Sequence, residues 1–297
     1  MPRRSTIQLA ALNIVTHPHS TQLYADLFRD AFKINRKPIK LRGDQYGLVR
    51  SVFEIVEGKP ELGLEGEIIR FMQIGADEPW FNLETTEQAS DQDLKQIHIP
   101  DHLRPKMKSI RYVFLPKEHR LVFVASAGRN TISPTMAQQL FRDSLNHPKL
   151  RDQQHPEAIV TVEQSHEALS EIFSIPFLKE LRIQFHKPNH DEGDLTEKAI
   201  YEELDEQNIG SVLTDYKADH GESLKPNKRT KLLADLAKSN GHVEGKGKDA
   251  DGKKVEIDTI DHPRIEPHRE RLDALNIILW LRDKAAELAR KLARPNE

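Results

Sequence analysis

Near the start of the chain, residues 5–15 read Ser-Thr-Ile-Gln-Leu-Ala-Ala-Leu-Asn-Ile-Val, and His17-Pro18-His19 follows one residue later. The apolar alternation in this stretch, together with its β-branched residues, predicts a β-strand. The proline then disfavours helical backbone at the residue before it, which indicates a turn. Beyond the turn, apolar residues recur at spacings of three and four, which predicts an amphipathic helix capped by Ser20 or Thr21. These apolar residues are Leu23, Tyr24, Leu27, Phe28, Ala31 and Phe32. A strand followed at once by a helix indicates a fold that mixes the two.

The rest of the first half continues in this way. Strand patterns cover residues 46–56 and 64–74, and a hairpin pattern covers residues 110–125. Between them, residues 75–108 form a long irregular stretch, which in a compact domain is usually functional or covers an edge of the core. Ser133 followed by a proline predicts a capped helix start.

The second half repeats the order of strand, helix and strand. The predicted elements are a strand at 158–162, a helix at 166–173, a strand at 178–186, and helices at 195–207 and 226–239. Gly241 is expected to cap the last of these helices. Asp249-Ala250-Asp251-Gly252, between two alternating runs, predicts a β-hairpin. A helix from about Glu266 to Ala293 is predicted to end the chain. Its apolar stripe comprises Leu272, Leu275, Ile278, Leu279, Ala286, Leu288 and Leu292.

These patterns predict an α+β or mixed α/β fold in a two-part chain. It has mainly antiparallel mixed sheets, the Asp-Gly hairpin and a long C-terminal amphipathic helix. The polar residues 146–156, with two prolines, favour a boundary between domains. We therefore predict an N-terminal α/β domain at residues 1–150, a second α/β domain at residues 151–265 and a C-terminal helix at residues 266–297.

The composition restricts the chemistry. The 297 residues contain no cysteine, carry a formal net charge of −3 and are 37% hydrophobic. Without cysteine there are no disulfides, thiolate nucleophiles or cysteine-based metal sites. The N-terminus lacks a signal-peptide pattern, and no segment approaches the roughly 18 apolar residues that cross a bilayer. We therefore expect a cytoplasmic protein without membrane association. In such an acidic chain, contact with nucleic acid requires local basic patches.

Motifs for catalysis are weak. No glycine-rich phosphate loop and no Gly-x-Ser-x-Gly elbow occurs. Glu244 and Lys246 have the Glu-x-Lys spacing of restriction-type nucleases, with Asp235 as a possible third group. Their predicted places, on an exposed hairpin and in mid-helix, favour a charged surface instead. Arg142 and His147 match the spacing of HEPN-type ribonucleases, but chance produces that spacing readily. We predict no metal site, no cofactor and no established catalytic residue.

The basic residues are the remaining signal, because they fall in four runs. The first three are Lys33, Arg36, Lys37, Lys40 and Arg42; Arg104, Lys106, Lys108 and Arg111; and Lys225, Lys228, Arg229 and Lys231. The final helix adds Arg282, Lys284, Arg290, Lys291 and Arg294, while residues 197–206 are acidic. A single run is usually solvated surface. Four runs in a nearly neutral chain favour either phosphate binding or head-to-tail contacts between subunits. Trp80 and Phe81 could stack on bases if they are exposed.

Several motifs resemble a bacterial family known mainly as a domain of unknown function, over about residues 5–262. They are Ala11-Leu12-Asn13-Ile14, His17-Pro18-His19, Pro79-Trp80-Phe81-Asn82-Leu83-Glu84, Ile132-Ser133-Pro134, Leu204-Asp205-Glu206-Gln207-Asn208, Ser239-Asn240-Gly241 and Asp249-Ala250-Asp251-Gly252. The layout also resembles that of RexA-type phage-exclusion proteins, and this likeness implies a dimer that binds DNA with little sequence preference.

Three functional hypotheses follow. The first is a non-enzymatic nucleic-acid-binding protein of the phage-defence type, dimeric or larger, which contacts phosphates through the first three basic runs. The second is a metal-dependent nuclease that acts as a defence effector. The third is a protein-interaction module, or a homo-oligomer, that docks through the C-terminal helix. We rank the nucleic-acid-binding protein first.

Overall fold

The described residues form three antiparallel sheets, of nine, four and two strands, and the first strand organises the largest of them. We call the first two the larger and the smaller sheet. In the computed structural model, which describes residues 5–34, 37–74, 79–100, 102–189, 195–270 and 276–292, the strands and helices have the following bounds. The strands are β1 (Ser5–Thr16), β2 (Ile39–Arg42), β3 (Gln45–Glu54), β4 (Leu64–Met72), β5 (Phe81–Asn82), β6 (Glu87–Gln88), β7 (Lys108–Leu115), β8 (Arg120–Ala127), β9 (Asn130–Thr131), β10 (Ala158–Val162), β11 (Phe177–His186), β12 (Ser211–Lys217), β13 (Gly241–Lys248), β14 (Lys254–Asp258) and β15 (Glu266–Glu270). The α-helices are α1 (Thr21–Ile34), α2 (Asp91–Leu94), α3 (Pro134–Leu145), α4 (Pro148–Asp152), α5 (His166–Phe173), α6 (Leu195–Glu206), α7 (Lys228–Asn240) and α8 (Ile277–Leu292).

The larger sheet has the strand order β10-β1-β8-β7-β4-β3-β2, and β15 and β9 pair with β1 and β8. One edge of β1 is shared by two strands, since β15 pairs with Ser5–Leu9 and β10 pairs with Leu12–Thr16. Both faces of the sheet are covered. On one face, Leu12 and Ile14 join the core beneath α1 and α3. On the other, Leu9 and Ala11 pack in the cluster that contains α8. A strand buried on both sides explains the nearly continuous apolar run of β1.

The smaller sheet has the order β12-β11-β13-β14. Its helices α5, α6 and α7 cover one face, where Ile183, Phe185 and Val243 are buried. Gly245 lies on this face, and a Cβ there would meet Ile172 Cγ2 at 2.5 Å, so the close approach of α5 requires glycine. The opposite face is open and carries cross-strand charge pairs. Arg182, for example, lies 3.4 Å from Glu244 on the neighbouring strand.

A buried polar network joins the two sheets. Arg120 Nε and Glu163 Oε1 form an ion pair at 2.7 Å, with side chains 5% and 0% exposed. Asn13 Oδ1 accepts a hydrogen bond from Arg120 Nη1 at 2.6 Å, and Asn13 Nδ2 donates to Asn240 Oδ1 at 2.8 Å. Because Asn240 ends α7 and Asn13 lies in β1, this network ties the helical layer of the smaller sheet to the larger sheet.

The structure confirms the predicted α+β class with mainly antiparallel sheets and a C-terminal helix. The predicted strand and helix patterns between residues 158 and 186 are confirmed, as is the hairpin β13–β14. The helix predicted after Ser133 is confirmed as well, since Ser133 Oγ accepts from the Met136 N–H at 3.2 Å. Gly241 follows α7 as predicted, but it opens β13 in extended backbone, and a Cβ there would lie 1.9 Å from the Gln184 carbonyl oxygen.

Other details of the prediction were wrong. The final helix begins at Ile277, because Glu266–Glu270 is a strand that satisfies the edge of β1 left free by β10. Leu281 and Ala285 carry its buried stripe, whereas Leu279 is 51% exposed. Leu272 and Leu275 lie outside the described residues. The strands β2 and β12 were not predicted. The division into domains stays a prediction, although β10 and β15 both join the larger sheet.

Candidate nucleic-acid interface

Strand pairing gathers basic side chains at one end of the larger sheet. The β2–β3 turn, the end of β4, the start of β7 and the β8–β9 turn all lie at this end. We call this edge the basic rim, and define it by Arg42, Arg70, Lys106, Lys108 and Arg129. Adjacent strands lie about 4.8 Å apart, so the four steps from β2 to β8 extend over roughly 19 Å.

Two of these cations are direct neighbours. Arg70 and Lys108 are opposite each other in the register of β4 and β7, and both side chains leave the sheet on the face that α3 covers. Arg70 makes contacts with neutral groups: Nη1 donates to Gln45 Oε1 at 2.6 Å, and Nη2 donates to Thr131 Oγ1 at 3.3 Å. Burial lowers the pKa of Arg70, but the guanidinium stays protonated.

Backbone contacts hold the neighbouring rim residues in place. Lys108 Nζ donates to the carbonyl oxygen of Arg129, and the Ser109 N–H donates to Asn130 Oδ1 at 3.2 Å. The Met72 N–H donates to the Pro105 carbonyl at 3.0 Å, which fixes the chain beside Lys106. Lys106 has a φ of 57°, in the left-handed region that is uncommon for lysine. The rim is therefore built by the ends of several strands and not by one flexible loop.

The rim carries little compensating negative charge. Within the described ranges, none of its five cations has a carboxylate at ion-pair distance. Asp44, in the β2–β3 turn, is an acidic neighbour at the edge. Like charges opposite each other on paired strands are destabilising. The arrangement thus concentrates positive charge that an anionic ligand would offset.

Arg111, a member of the second predicted run, belongs to a different environment. It lies on the face opposite Lys108, and its Nη2 is 3.6 Å from Glu67 Oε1. Glu67 also pairs with Arg50 at 2.7 Å and accepts a hydrogen bond from Ser109. Burial alone would raise the pKa of Glu67, but the Ser109 hydrogen bond and the charges of Arg111 and Arg50 outweigh it, so the pKa lies below its ordinary value. The charge of Arg111 is therefore shared with an acid.

The other members of the first two runs are dispersed. Lys33 pairs with Asp30 at 3.0 Å at the end of α1. Lys37 precedes β2, and Lys40 lies in β2 two residues before Arg42; both are exposed, and Arg36 lies outside the described residues. Arg104 Nη1 donates to the Leu103 carbonyl oxygen at 2.7 Å.

The third and fourth runs lie elsewhere and are largely offset. Lys225 and Lys228 are exposed near the start of α7. Arg229 lies 2.8 Å from Glu203, within the predicted acidic segment, and the Lys231 ammonium lies 5.6 Å from the centre of the Phe173 ring. In α8, Arg290 Nε donates to the Ala286 carbonyl oxygen at 3.0 Å, and Arg294 lies outside the described residues. The other three cations of this run pair with acids. These pairs are Arg282 with Glu65 at 2.6 Å, Lys284 with Glu287 at 2.7 Å and Lys291 with Glu287 at 3.2 Å.

The candidate nuclease residues are not brought together. Glu244 and Lys246 form an ion pair at 2.8 Å on the open face of the smaller sheet. Asp235 lies on α7, which packs on the opposite face beside Val243. Among the residues that the structure describes, no group of three or more histidine, aspartate or glutamate side chains has a geometry that could hold a metal ion. His147 Nδ1 accepts from the Lys149 N–H at 3.3 Å and caps α4.

An insertion between β4 and β7 projects from the rim, because both of its ends lie there. Its hairpin β5–β6 is held to α2 by a hydrogen bond from Asn82 Nδ2 to Asp93 Oδ2 at 3.3 Å. Phe81 is 63% exposed, whereas Trp80 is partly buried. Further exposed apolar side chains of the insertion are Leu83, Ile97, Ile99, Leu103 and Met107.

Arg70 and Arg129 were missed by sequence reasoning, because neither belongs to a basic run. The available signal was positional: Arg70 stands near the end of one predicted strand and Arg129 follows the next hairpin. Only the register of the sheet brings them to Lys108.

These observations define the class of protein: an α+β chain whose two main antiparallel sheets are joined by a buried polar network, and whose described residues include a rim of cations without carboxylate partners. The chain belongs to the family described as a domain of unknown function (DUF4747), whose model matches residues 5–276. No curated protein was found to match the chain. No helix in the described ranges combines the length and the apolar character that crossing a membrane requires.

Proposed function

We propose that this protein binds nucleic acid through the basic rim, as a non-enzymatic cytoplasmic protein of the phage-exclusion type. The observation that carries the proposal is the cross-strand pair of Arg70 and Lys108, which has neutral partners only. Phosphates are the anions that rows of lysine and arginine bind in extended ligands. The defence role rests on the likeness in layout to RexA-type proteins.

The size of the rim limits the expected affinity. A length of roughly 19 Å corresponds to about five or six base pairs at 3.4 Å each. With five cations, the magnitude of the slope of log K against log salt for duplex DNA should not exceed about 4.5. A homodimer would present two rims and raise the apparent affinity without new contacts.

Sequence preference is expected to be weak. The rim side chains are long cations without a groove-reading helix beside them, and phosphate contacts carry no sequence information. Phe81, on the insertion that leaves the rim, adds a stacking surface for an unpaired base. Glu84 and Glu87 in the same hairpin disfavour contact between the hairpin and a phosphate backbone.

The direct test is fluorescence anisotropy with labelled single- and double-stranded DNA and RNA over a range of salt concentrations. The double variant Lys108→Gln/Arg129→Gln should weaken binding about tenfold or more. Lys225→Gln/Lys228→Gln makes the same charge change on the surface of α7 and serves as the control. Equal loss in both double variants, or no binding by the native protein at low salt, would contradict the proposal.

The same mixtures, run on a gel with magnesium or manganese, test the nuclease alternative. This alternative ranks lower because Asp235 and Glu244 lie on opposite faces of the smaller sheet. Cleavage that Glu244→Gln abolishes would replace the binding proposal with the enzymatic one.

A further inference from the structure

A cleft of about 290 Å³ lies where the two sheets meet. One wall is β10 of the larger sheet, the other is formed by β11 and β13 of the smaller sheet, and α3 closes one side. It is separate from the basic rim, since β10 lies at the opposite edge of the larger sheet from β2. The volume is at the small end of the range for ligand sites.

Polar side chains converge on this cleft. Gln184 and His242 are opposite each other on β11 and β13, and His186 lies two residues further along the same face of β11. Gln164 Nε2 donates to the Gly241 carbonyl oxygen, whereas its buried Oε1 has no hydrogen-bond partner. Within the described part of the chain, no hydrogen bond engages the side chains of Gln184, His186 or His242. Gln184, His186 and His242 are half-buried, whereas Gln164 Oε1 is buried. Because buried polar atoms are normally hydrogen-bonded, the unsatisfied Gln164 Oε1 at this convergence indicates a place for a ligand.

One arginine brings hydrogen-bond donors that suit an anion. Arg142 reaches the cleft from α3, where its Nε forms an ion pair with Asp143 at 2.9 Å, and no hydrogen bond among the described residues engages its two Nη groups. Glu157, a carboxylate in the lining of the cleft, is offset by Arg151 at 3.0 Å. Burial lowers the pKa of His186, and the nearby charge of Glu157 opposes this effect. An anion beside the imidazole would favour its protonated form.

The direction of the donors favours phosphate over carboxylate. One bidentate arginine satisfies a planar carboxylate, whereas a phosphate has three or more acceptor oxygens that can be met from several sides. Here the donors come from three separate elements, with Arg142 on α3, His186 on β11 and His242 on β13. The amides of Gln138 and Gln184 line the remainder of the cleft and suit a polar body.

We propose that this cleft binds a small phosphomonoester, of about the size of a mononucleotide, with its phosphate between Arg142 and the two histidines. The site is independent of the proposed nucleic-acid binding at the rim. Because its walls belong to both sheets, an occupied cleft also stabilises their packing.

The test is calorimetry and thermal unfolding of the full chain with inorganic phosphate, adenosine monophosphate and adenosine. We expect the monophosphate to bind and to raise the Tm, phosphate to bind more weakly at the same site, and adenosine not to bind. Arg142→Gln and His186→Gln should each weaken binding at least tenfold. His220→Gln, at an exposed loop position, is the matched control and should leave binding unchanged. Because Arg142 is exposed, its variant should fold even if His186→Gln does not.

Several results would overturn the proposal: no binding at millimolar monophosphate, equal binding of adenosine, or binding that survives Arg142→Gln but is lost in Lys108→Gln/Arg129→Gln. The last result would assign the phosphate to the basic rim.

Discussion

Arg70 and Lys108 lie directly opposite each other on neighbouring antiparallel strands, so two positive charges share one face of the larger sheet. Their hydrogen bonds go to an amide, a hydroxyl and a backbone carbonyl, and not to a carboxylate. A pair of this kind costs stability in the free protein and becomes favourable when an anion lies between the two cations. Stability and binding are therefore expected to change in opposite directions when one charge is removed.

Lys108→Gln should stabilise the fold and weaken binding. The amide can still donate to the Arg129 carbonyl, while the loss of repulsion from Arg70 adds about 0.5 kcal/mol to the free energy of unfolding at low salt. Urea unfolding and anisotropy measure the two effects. Lys248→Gln is the matched control, because Lys248 lies opposite Lys254 in the β13–β14 hairpin. It should give a similar gain in stability with unchanged binding, and a loss of binding in both variants would contradict the assignment to the rim.

The salt dependence of binding should report the number of phosphates that the rim contacts. Arg42→Gln and Arg129→Gln should each reduce the magnitude of the slope of log K against log salt by about one. Lys225→Gln should leave the slope unchanged, because Lys225 lies beside the first turn of α7. A slope that falls equally for all three would place phosphate contacts over the whole surface.

The buried ion pair between Arg120 and Glu163 is expected to be essential for the joint between the sheets. Glu163→Gln removes the buried carboxylate that forms the ion pair with Arg120, which should cost about 3–5 kcal/mol in the free energy of unfolding. Glu244→Gln breaks an ion pair with the partly exposed Arg182 and should cost roughly 1 kcal/mol or less. Similar losses for the two variants, measured by urea unfolding, would show that the buried network adds little.

The main contribution expected of the helix α8 is to the stability of the core. Leu281→Ala removes a fully buried side chain that packs with Val122 and Val124 of β8, and should cost about 2–5 kcal/mol. Leu279→Ala, at an exposed position, should cost less than about 0.5 kcal/mol. If Leu279→Ala instead abolishes self-association in analytical ultracentrifugation, the outer face of α8 is the docking element of the interaction hypothesis.

Glu67 should make stability dependent on acidic pH. Its pKa is lower in the folded protein than in the unfolded chain, so its contribution is present above the unfolded pKa and is lost as the pH falls through the folded value. Between about pH 5 and pH 3, the native protein should therefore lose more stability than Glu67→Gln. Parallel losses in urea unfolding at each pH would mean that Arg50 and Arg111 do not stabilise the carboxylate.

Much of the local structure could be predicted from the chain. The β1 run, the Ser133 cap and the Asp-Gly hairpin are signals that act over a few residues, and each was confirmed. The strand β15 was missed because the pairing that makes it a strand is distant in sequence. It completes the part of the β1 edge that β10 leaves free, and β1 lies more than 250 residues earlier in the chain.

The sequence by itself determined the class of fold, the lack of cysteine chemistry and the presence of basic residues in runs, because these depend on composition and on short-range periodicity. Only the tertiary structure decided which of those charges remain without an acidic partner. Strand register brought Arg70 and Arg129 to Lys108 and turned Arg111 to the opposite face beside Glu67. The packing of α6 beside α7 placed Glu203 against Arg229. Charge compensation acts over a few ångströms in space, whereas partners such as Glu65 and Arg282 are 217 positions apart in the chain, so no pattern along the sequence contains it.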